Sequence, residues 1–387
     1  MNPKQDNMSF SSLGISEVLI RAIKSNGFTE PYPIQKEAIP QILKKRDVLG
    51  IAQTGSGKTA SYVLPLLQNL EGKTSTKNRH INVLVLVPTR ELAIQVQEVF
   101  HLFGSSMENP IRSMAVYGGV SVNPQMKNLR GVHVLVATPG RLLELIDSNA
   151  VHFEDLDALV LDEADKMLNL GFQDEVDRIL KLLPKKRQNL LFSATLNDDV
   201  SSITRVLLHE PIVIKIEAEQ ENIDLINQVG YFVSEERKGP LLRYLIKHND
   251  MKQVLVFTSS IYQTENVAEK LRKNGIEATS IHSKKSQEAR TKALKSFKGG
   301  HMRVLVATDL IARGIDIQFL PYVINYELPR SPKDYVHRIG RTGRAENPGE
   351  AISLITPDEQ NHFRVIQKKM KKWVTMVDAK DLNLNGF

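Results

Sequence analysis

The stretch Val48-Leu49-Gly50-Ile51-Ala52-Gln53-Thr54-Gly55-Ser56-Gly57-Lys58-Thr59 decides how this chain folds. An apolar run comes first, and a helical pattern follows the Lys-Thr pair. Between them, glycines let backbone N–H groups turn toward phosphate oxygens. In such a loop Lys58 reaches the terminal phosphates and Thr59 coordinates Mg²⁺, although the general pattern has Gly where this chain has Ala52. The stretch predicts an α/β domain that binds a nucleoside triphosphate.

Short apolar runs, each followed by a helical stretch, recur along the whole chain. They lie at 48–51, 83–87, 132–137, 159–161, 190–192, 254–257, 279–281, 304–307, 322–324 and 351–355. Apolar strands that alternate with amphipathic helices are typical of buried parallel sheets. Because the pattern occurs twice, we predict two tandem α/β domains, 1–216 and 227–387. A short, flexible, acidic linker at 217–226 is expected to join them.

The composition excludes several classes of protein. The 387 residues include no Cys, which excludes disulfides and Cys-ligated metals and favours an intracellular, cytoplasmic location. No apolar run is long enough to span a membrane, and residues 1–12 lack the apolar core of a signal peptide. Residues 226–387 hold 27 Lys and Arg against 17 Asp and Glu, whereas 1–225 hold 24 against 27. The basic second half indicates a polyanionic partner such as nucleic acid, or a merely soluble basic domain.

Polar clusters come directly after the predicted strands. They are the phosphate loop, Pro88-Thr89-Arg90, Thr138-Pro139-Gly140-Arg141, Asp162-Glu163, Ser193-Ala194-Thr195, Thr258-Ser259-Ser260 and Thr308-Asp309. Ligands of open parallel sheets bind beyond the carboxyl ends of the strands. We therefore expect the clusters of each domain to share one edge of its sheet.

Two further segments suit phosphoryl transfer together with Lys58. Asp162 fits a carboxylate that holds Mg²⁺ largely through water, and Glu163 is placed to polarise the attacking water. Acidic residues that open a helix also favour its dipole, which is the alternative interpretation. The Arg-rich segment His337-Arg338-Ile339-Gly340-Arg341-Thr342-Gly343-Arg344 can stabilise charge on the phosphoryl group as it transfers.

The segment Asp162-Glu163-Ala164-Asp165 spells the DEAD box. From about Phe10 to Ile355 the chain resembles the DEAD-box RNA helicases of helicase superfamily 2, a family that also has Ala at the position of Ala52. The resemblance implies two RecA-like domains and RNA-stimulated ATP hydrolysis. It also makes Arg341 and Arg344 candidate arginine fingers, and it implies that His337 and Arg338 support the interface between the domains. The compact core is most similar to bacterial members, of which we favour the RhlE-like branch.

The resemblance also implies how ATP is recognised. Residues 28–35, from Phe28 to Gln35, resemble the Q motif, in which Gln35 reads adenine, although Tyr32 stands where Thr is usual. Phe10 occupies the position of an aromatic residue that stacks on the base, or else it is an apolar anchor for the N-terminal segment. Asp316 is expected to face the ribose.

RNA contacts and coupling residues follow from the same resemblance. The expected RNA contacts are Pro88, Thr89, Arg90, Gly118, Gly119, Thr138, Arg141, Thr258, Arg290, Thr308, Arg313 and Gly314. The residues expected to couple hydrolysis to strand separation are Asp165, Ser193, Thr195 and His337. Several of these residues suit turns or helix caps equally well, and Ser193-Ala194-Thr195 in particular could be a helix N-cap.

These patterns predict an ATP- and Mg²⁺-dependent RNA helicase that binds single-stranded RNA across two domains and opens short duplexes locally. Three alternatives remain at this point: an ATP-gated RNA clamp or scaffold with little unwinding, a DNA translocase, and a metabolic P-loop enzyme. We further expect a monomer with no membrane contact, and ribonucleoprotein or ribosome-assembly partners.

One last pattern lies beyond the motifs. Phe363, Ile366, Met370 and Trp373 recur at helical spacing, with lysines between them. The spacing predicts an amphipathic helix that packs on the second domain. Its lysines could instead extend the RNA path.

Overall fold

The computed structural model describes residues 9–53, 55–73, 79–216, 226–309, 320–343 and 349–387, apart from the side chain of Asp199. The chain divides into two compact units, Met1–Ala218 and Glu219–Phe387. Each unit contains one seven-stranded sheet, and all the strand pairs described are parallel. The predicted tandem α/β fold is confirmed. No helix within the described ranges is both long enough and apolar enough to cross a bilayer.

The first unit alternates strands and helices after two N-terminal helices. Its strands are β1 (Val48–Ile51), β2 (Val83–Leu86), β3 (Ser113–Val116), β4 (Val134–Ala137), β5 (Ala158–Leu161), β6 (Gln188–Ser193) and β7 (Ile212–Lys215). Its helices are α1 (Glu17–Ser25), α2 (Pro33–Leu43), α3 (Lys58–Asn69), α4 (Arg90–Gly104), α5 (Val122–Asn128), α6 (Pro139–Asp147), α7 (Ala164–Asn169), α8 (Gln173–Leu182) and α9 (Asp198–Leu207).

The first sheet has the strand order β3-β4-β2-β5-β6-β1-β7. Successive residues of a strand point to opposite faces of a sheet, and the two faces here form separate hydrophobic clusters. Val83 and Val85 belong to one cluster, and Leu84 and Leu86 belong to the other. Because helices cover both faces, nearly every strand residue must be apolar, which explains the continuous apolar runs.

The second unit repeats this architecture. Its strands are β8 (Ile226–Phe232), β9 (Val254–Thr258), β10 (Ala278–Ile281), β11 (Val304–Thr308), β12 (Tyr322–Asn325), β13 (Gly349–Ile355) and β14 (Thr375–Asp378), in the order β10-β11-β9-β12-β13-β8-β14. Its described helices are α10 (Glu235–His248), α11 (Ile261–Lys273), α12 (Gln287–Lys298), α13 (Pro332–Ile339) and α14 (Gln360–Met370).

Four strands were not predicted from the sequence. β3, β7 and β14 are edge strands, so each is less completely buried and carries a weaker apolar pattern. β8 alternates buried and exposed residues along Ile226-Asn227-Gln228-Val229. Ile226, which we assigned to the linker, is the first residue of β8 and pairs with Gly349. The rest of the predicted linker, 217–225, lies outside the described residues.

Candidate active site

The order of strands in the first sheet sorts the predicted polar loops into two groups. β5, β6 and β1 are neighbours, and they lead into the acidic segment, the Ser-Ala-Thr segment and the phosphate loop. We call these loops the nucleotide half. β3, β4 and β2 are also neighbours, and they lead into the Gly-Gly, Thr-Pro-Gly-Arg and Pro-Thr-Arg segments, which we call the RNA half. The two halves share one edge of the sheet and meet between β2 and β5.

The phosphate loop turns sharply between β1 and α3. Gly55 and Gly57 have φ angles of 84° and 87°, in the left-handed region that glycine adopts without steric cost. Gly57 is the N-cap of α3, so the unpaired N–H groups of the first helical turn face the loop. This arrangement suits an anion such as a triphosphate.

Lys58, the first residue of α3, is 7% exposed. Its Nζ donates hydrogen bonds to the carbonyl oxygens of Ala52 and, at 3.1 Å, of Gln53. Burial lowers the pKa of this amine, while the carboxylates of Asp162 and Glu163 act in the opposite direction. A phosphate oxygen in place of these neutral carbonyls would give a stronger, charge-assisted bond. Lys58 is therefore already held at the loop where a phosphate would bind.

Asp162 directly follows β5 and is almost fully buried. Its Oδ2 accepts a hydrogen bond from the Tyr62 hydroxyl at 2.8 Å, and its Oδ1 accepts one from the Glu163 N–H at 2.9 Å. Thr59 precedes Tyr62 by three residues on α3, so their side chains lie on one face of that helix. Tyr62 thus connects Asp162 to the helix that carries Thr59, and the oxygen-rich character of this site fits a hard cation such as Mg²⁺.

Glu163 differs from its neighbours in both backbone and side chain. Its φ of 52° lies in the left-handed region, which is unusual for a residue that is not glycine. Its Oε1 pairs with Lys166 Nζ at 2.7 Å. Its Oε2 is buried without a hydrogen-bond partner among the described residues. A buried carboxylate oxygen that lacks a partner is suited to accept a hydrogen bond from a bound water.

The residues of the first unit that were predicted to couple hydrolysis to strand separation contact one another directly. Thr195 Oγ1 donates to Asp165 Oδ2 at 2.9 Å, and Ser193 Oγ donates to the Thr195 carbonyl at 2.7 Å. These contacts join the end of β6 to the acidic segment after β5. The alternative role as a helix N-cap is wrong for this segment, because Asn197 caps α9 by accepting from Val200 N at 2.9 Å.

Gln35 connects the predicted adenine motif to the phosphate loop. Its Nε2 donates to the Gly57 carbonyl at 3.0 Å, and its Oε1 accepts from Tyr32 N at 3.0 Å. These bonds use one of the two N–H groups and one of the two lone pairs of the amide. Phe28 is 40% exposed and contacts Phe103, with ring centroids 6.0 Å apart. The Phe10 side chain is buried in the hydrophobic core of this unit, which favours the anchor interpretation.

In the RNA half, Arg90 and Gly119 are in close contact. A Cβ added at Gly119, whose φ is 77°, would lie 2.1 Å from Arg90 Nη2. At Gly118, no atom of the described residues lies within 4 Å of a Cβ added in the same way. Thr89 caps α4 by accepting from Leu92 N at 3.3 Å, so the expected helix cap is present at this residue. Pro88 is buried beside it.

Arg141 joins the other two loops of the RNA half. Its Nε bonds to Glu144 Oε2 at 2.8 Å, and its Nη2 donates to the Val120 carbonyl at 2.7 Å. Its Nη1 is buried without a hydrogen-bond partner among the described residues. The side chain therefore fixes the Gly-Gly loop and retains a donor. Thr138, the N-cap of α6, is buried and makes no capping bond through its side chain.

Comparison with known proteins places the chain in a family. Residues 32–203 match the model described as DEAD/DEAH box helicase, and residues 237–346 match that described as helicase conserved C-terminal domain. The ATP-dependent RNA helicase CshA of Limosilactobacillus reuteri is 39% identical over 93% of this chain and 72% of its own length. This chain belongs to the DEAD-box helicases. The resemblance predicted from the sequence is confirmed, and the chain is a helicase enzyme.

Solved structures of DEAD-box proteins agree in fold. S. cerevisiae Dbp5 bound to RNA and ADP BeF3 is 30% identical, with a TM-score of 0.81 and 96% coverage of both chains. A DEAD box protein from the hyperthermophile Methanococcus jannaschii is 36% identical, with a TM-score of 0.53 and coverage of 96% of this chain and 99% of its own. The two sheets are thus those of tandem RecA-like domains. Assignment to the RhlE-like branch stays a prediction.

In the second unit of this DEAD-box helicase, two predicted RNA contacts lie side by side. Thr258 and Thr308 end β9 and β11 and are partners in the sheet register. Thr308 is half-buried. Thr258 is fully buried, and its hydroxyl bonds to Thr264 Oγ1 at 2.8 Å. The prediction that Thr258 contacts RNA is therefore wrong for this conformation, because its side chain is turned into the unit. Arg290 is also buried, with Nη2 2.6 Å from Gln287 Oε1.

Arg338 has a different role from the one predicted. Its guanidinium forms a bidentate pair with Asp309, at 2.5 and 2.7 Å, and Nη1 donates to Asn325 Oδ1 at 3.0 Å. It also lies over the Phe257 ring, 4.9 Å from the centroid. Arg338 is 2% exposed, so it ties α13 to the strands of its own unit. His337 on the same helix is exposed.

Arg341 follows α13 and is 7% exposed. Its carbonyl accepts from Leu320 N at 3.1 Å, and Thr342 forms a bridge with Leu320. Because Leu320 precedes β12, Arg341 lies near the amino end of that strand, not at the carboxyl edge. Five predicted site residues lie outside the described residues: Thr54, Arg313, Gly314, Asp316 and Arg344.

Tyr62 is a site residue that the sequence analysis missed. It lies one helical turn after Lys58, on the same face of α3, and this spacing was visible in the sequence. Its bond to Asp162 was not predictable, because Asp162 is 100 residues away along the chain. Lys166 was missed for another reason. Its pair with Glu163 is a local contact three residues away, of a kind common on helix surfaces.

We expect Mg²⁺-dependent nucleotide binding to weaken as the pH falls through about 6. Burial, followed by the neighbouring Glu163, raises the pKa of Asp162 to about 6, against the opposing effects of Lys58 and the Tyr62 hydrogen bond. The carboxylate form binds the cation, so protons compete with Mg²⁺ below that pH. Fluorescent-nucleotide titrations between pH 5 and 8 would measure the effect.

Asp162→Asn is the control for this prediction. At each pH, the nucleotide affinity of the wild type is divided by that of the variant. This ratio cancels the effect of protonation of the nucleotide itself, which is the same for both proteins. A ratio that does not change between pH 5 and 8 would contradict the prediction. Tyr62→Phe removes one bond to the carboxylate and is expected to move the midpoint to higher pH.

Proposed function

We propose that this protein is an ATP-dependent RNA helicase that binds single-stranded RNA and opens short duplexes locally. The observation that best supports the proposal is that the strand order of the first sheet places its polar loops in two groups. A nucleotide half and an RNA half lie at one edge and meet between β2 and β5. The relatives named CshA and the RNA-bound Dbp5 structure support RNA as the partner.

In the first unit, Lys58 and the phosphate loop bind the β- and γ-phosphates, and Gln35 reads the adenine. Thr59 and Asp162 would hold Mg²⁺, which would neutralise phosphate charge. Glu163 accepts a hydrogen bond from the attacking water through Oε2, the oxygen for which the described residues provide no partner. The contact of Thr195 with Asp165 links this chemistry to the end of β6.

RNA binds through its sugar-phosphate backbone at the RNA half of the first unit and at the carboxyl edge of the second. Arg90 and Arg141 contact phosphates, and the 2′-hydroxyl allows discrimination against DNA. Residues 1–216 form the ATP-binding domain, and 227–387 form the domain that supplies Arg341 and Arg344 as arginine fingers. ATP and RNA favour the same closed state, so each increases the affinity for the other.

A second candidate function is an ATP-gated RNA clamp that rarely unwinds. The same residues serve both functions. The hydrogen bond between Thr195 and Asp165 favours the helicase, because it connects the site of hydrolysis to the end of β6. Displacement of one strand from a short labelled RNA duplex distinguishes them. ATP-dependent binding without strand release would indicate the clamp.

The first test of the proposal is steady-state ATPase activity with single-stranded RNA, with DNA of matched sequence, and with neither. Strong stimulation by RNA alone is expected, because the second unit completes the site only when RNA is bound. Equal stimulation by DNA would point to a DNA translocase. High activity without nucleic acid would point to a metabolic enzyme.

We further propose that the protein is a cytoplasmic monomer with ribonucleoprotein partners. Sedimentation would measure the oligomeric state, and co-purification after RNase treatment would identify partners.

Gly119→Ala is expected to weaken RNA binding by about tenfold while ATP affinity is unchanged. The added Cβ would lie 2.1 Å from Arg90 Nη2 at a residue whose φ is 77°, so the guanidinium must move. Loss of one charge-assisted contact costs about 1.5 kcal/mol or more, which is about tenfold in affinity. Fluorescence anisotropy with labelled RNA measures the change.

Gly118→Ala is the matched control, because its Cβ would meet no atom of the described part of the chain within 4 Å. It is expected to bind RNA like the wild type. Equal losses in both variants would mean that loop flexibility, and not the position of Arg90, controls RNA affinity.

A further inference from the structure

Trp373 does not occupy the position that its spacing predicts. Phe363 and Ile366 are buried and Met370 is half-buried, as an amphipathic helix requires. However, α14 ends at Met370, and Lys371 takes a left-handed conformation with φ of 56°. The chain turns there, and Trp373 is 68% exposed. It is the only tryptophan in the protein, and tryptophan, with its apolar ring and polar N–H, is enriched at interfaces.

The backbone on both sides of Trp373 is fixed. Lys372 N donates to the Gln367 carbonyl at 3.3 Å, and Val374 N donates to Gln367 Oε1 at 2.9 Å. β14 then begins at Thr375, which pairs with Val229 of β8. The indole is thus presented from a constrained turn, which lowers the entropy lost when a ligand packs against it.

The surroundings of the indole are strongly basic. Between Gln360 and Trp373 the chain has five basic residues and no acidic one. The basic residues are Arg364, Lys368, Lys369, Lys371 and Lys372. All except Lys372 are exposed, and Lys372 is half-buried. Positive charges beside an aromatic face are the combination that single-stranded nucleic acid requires, for phosphates and for unpaired bases.

We infer that Trp373 and the lysines of the α14–β14 turn form an accessory contact for single-stranded RNA. One unpaired base stacks on the indole, and the adjoining phosphates lie against Lys368, Lys369 and Lys371. A duplex cannot use the indole in this way, because its bases are already stacked on one another. This inference rests on the proposed RNA function and adds a contact outside the motif residues of both units.

Intrinsic fluorescence tests the inference directly, because Trp373 is the sole tryptophan. The 387-residue protein without nucleotide is titrated with oligouridylates of increasing length. We expect saturable quenching, and weaker quenching by a duplex of equal length. Trp373→Ala is expected to lower the affinity for long oligouridylate, measured by anisotropy, about fivefold or more.

Variants of the nearby lysines retain Trp373 as the fluorescent reporter, and they distinguish the possible outcomes. Lys368→Glu with Lys369→Glu should shift the quenching curve to higher RNA concentration. Lys273→Ala, on α11 and paired with Glu269 at 2.7 Å, should leave the curve in place. RNA binding without quenching would overturn the inference, as would equal quenching by polyglutamate, which would indicate an acidic protein partner. Absence of any RNA binding, with or without ATP, would instead defeat the proposed function.

Discussion

Glu163→Gln is expected to slow RNA-stimulated ATP turnover by about 10²–10⁴-fold, the range for loss of a positioned acid–base group. Oε2 of this carboxylate is buried and has no hydrogen-bond partner in the part of the chain that the structure describes, whereas Oε1 is paired with Lys166. Glutamine keeps the shape of the side chain but removes the negative charge that polarises water. Affinities for ATP and RNA are expected to persist, because Lys58, Gln35 and the RNA half are unchanged. Steady-state ATPase and equilibrium binding assays measure the two effects.

A matched control for this variant is Glu98→Gln, which changes an exposed carboxylate on α4. It should turn over ATP at the wild-type rate. Normal turnover by Glu163→Gln would remove the residue from its assigned role. A parallel loss of ATP affinity would show that the charge serves binding, and not the chemical step.

Arg341→Ala is expected to reduce hydrolysis by about 10³-fold or more, the effect of removing an arginine finger. The residue belongs to the second unit, whereas Lys58, Asp162 and Glu163 belong to the first. An arginine that acts on the transferring phosphoryl group contributes to the transition state far more than to ground-state binding. The expected result is therefore a lower kcat with an unchanged affinity for ATP.

The control for Arg341 is Arg330→Ala, which removes an exposed arginine shortly before α13 in the same unit. Circular dichroism should show that both variants are folded, since Arg341 is largely buried. Equal effects of the two substitutions would indicate a general charge effect. Unchanged hydrolysis in Arg341→Ala would leave Arg344 as the remaining candidate for an arginine finger.

The internal strands other than β8 could be predicted from the sequence because both faces of each sheet are covered. Val83 and Leu84 must both be apolar when each faces a different hydrophobic cluster. Edge strands carry no such requirement, so Ser113–Val116 and Thr375–Asp378 were missed. The order of strands was also unpredictable, because it depends on contacts between residues far apart in the chain. For that reason the division into nucleotide and RNA halves emerged only from the structure.

Prediction from the sequence has the same limit at the candidate site. Lys58, Asp162 and Gln35 were predictable because each belongs to a short motif whose residue types and spacing indicate one kind of chemistry. The Tyr62–Asp162 bond and the burial of Thr258 depend on packing between distant elements. Trp373 was assigned wrongly because its spacing continues the apolar pattern of α14, whereas the backbone leaves the helix at Lys371.

The left-handed backbone of Glu163 has a consequence for protein engineering. A φ of 52° costs a side-chain-bearing residue about 1–2 kcal/mol, and glycine would remove that cost. A library of variants selected only for heat resistance would thus be enriched in Gly at position 163. These variants would lack the Glu163 carboxylate and would be inactive. Directed evolution of this protein must therefore score ATP turnover alongside melting temperature.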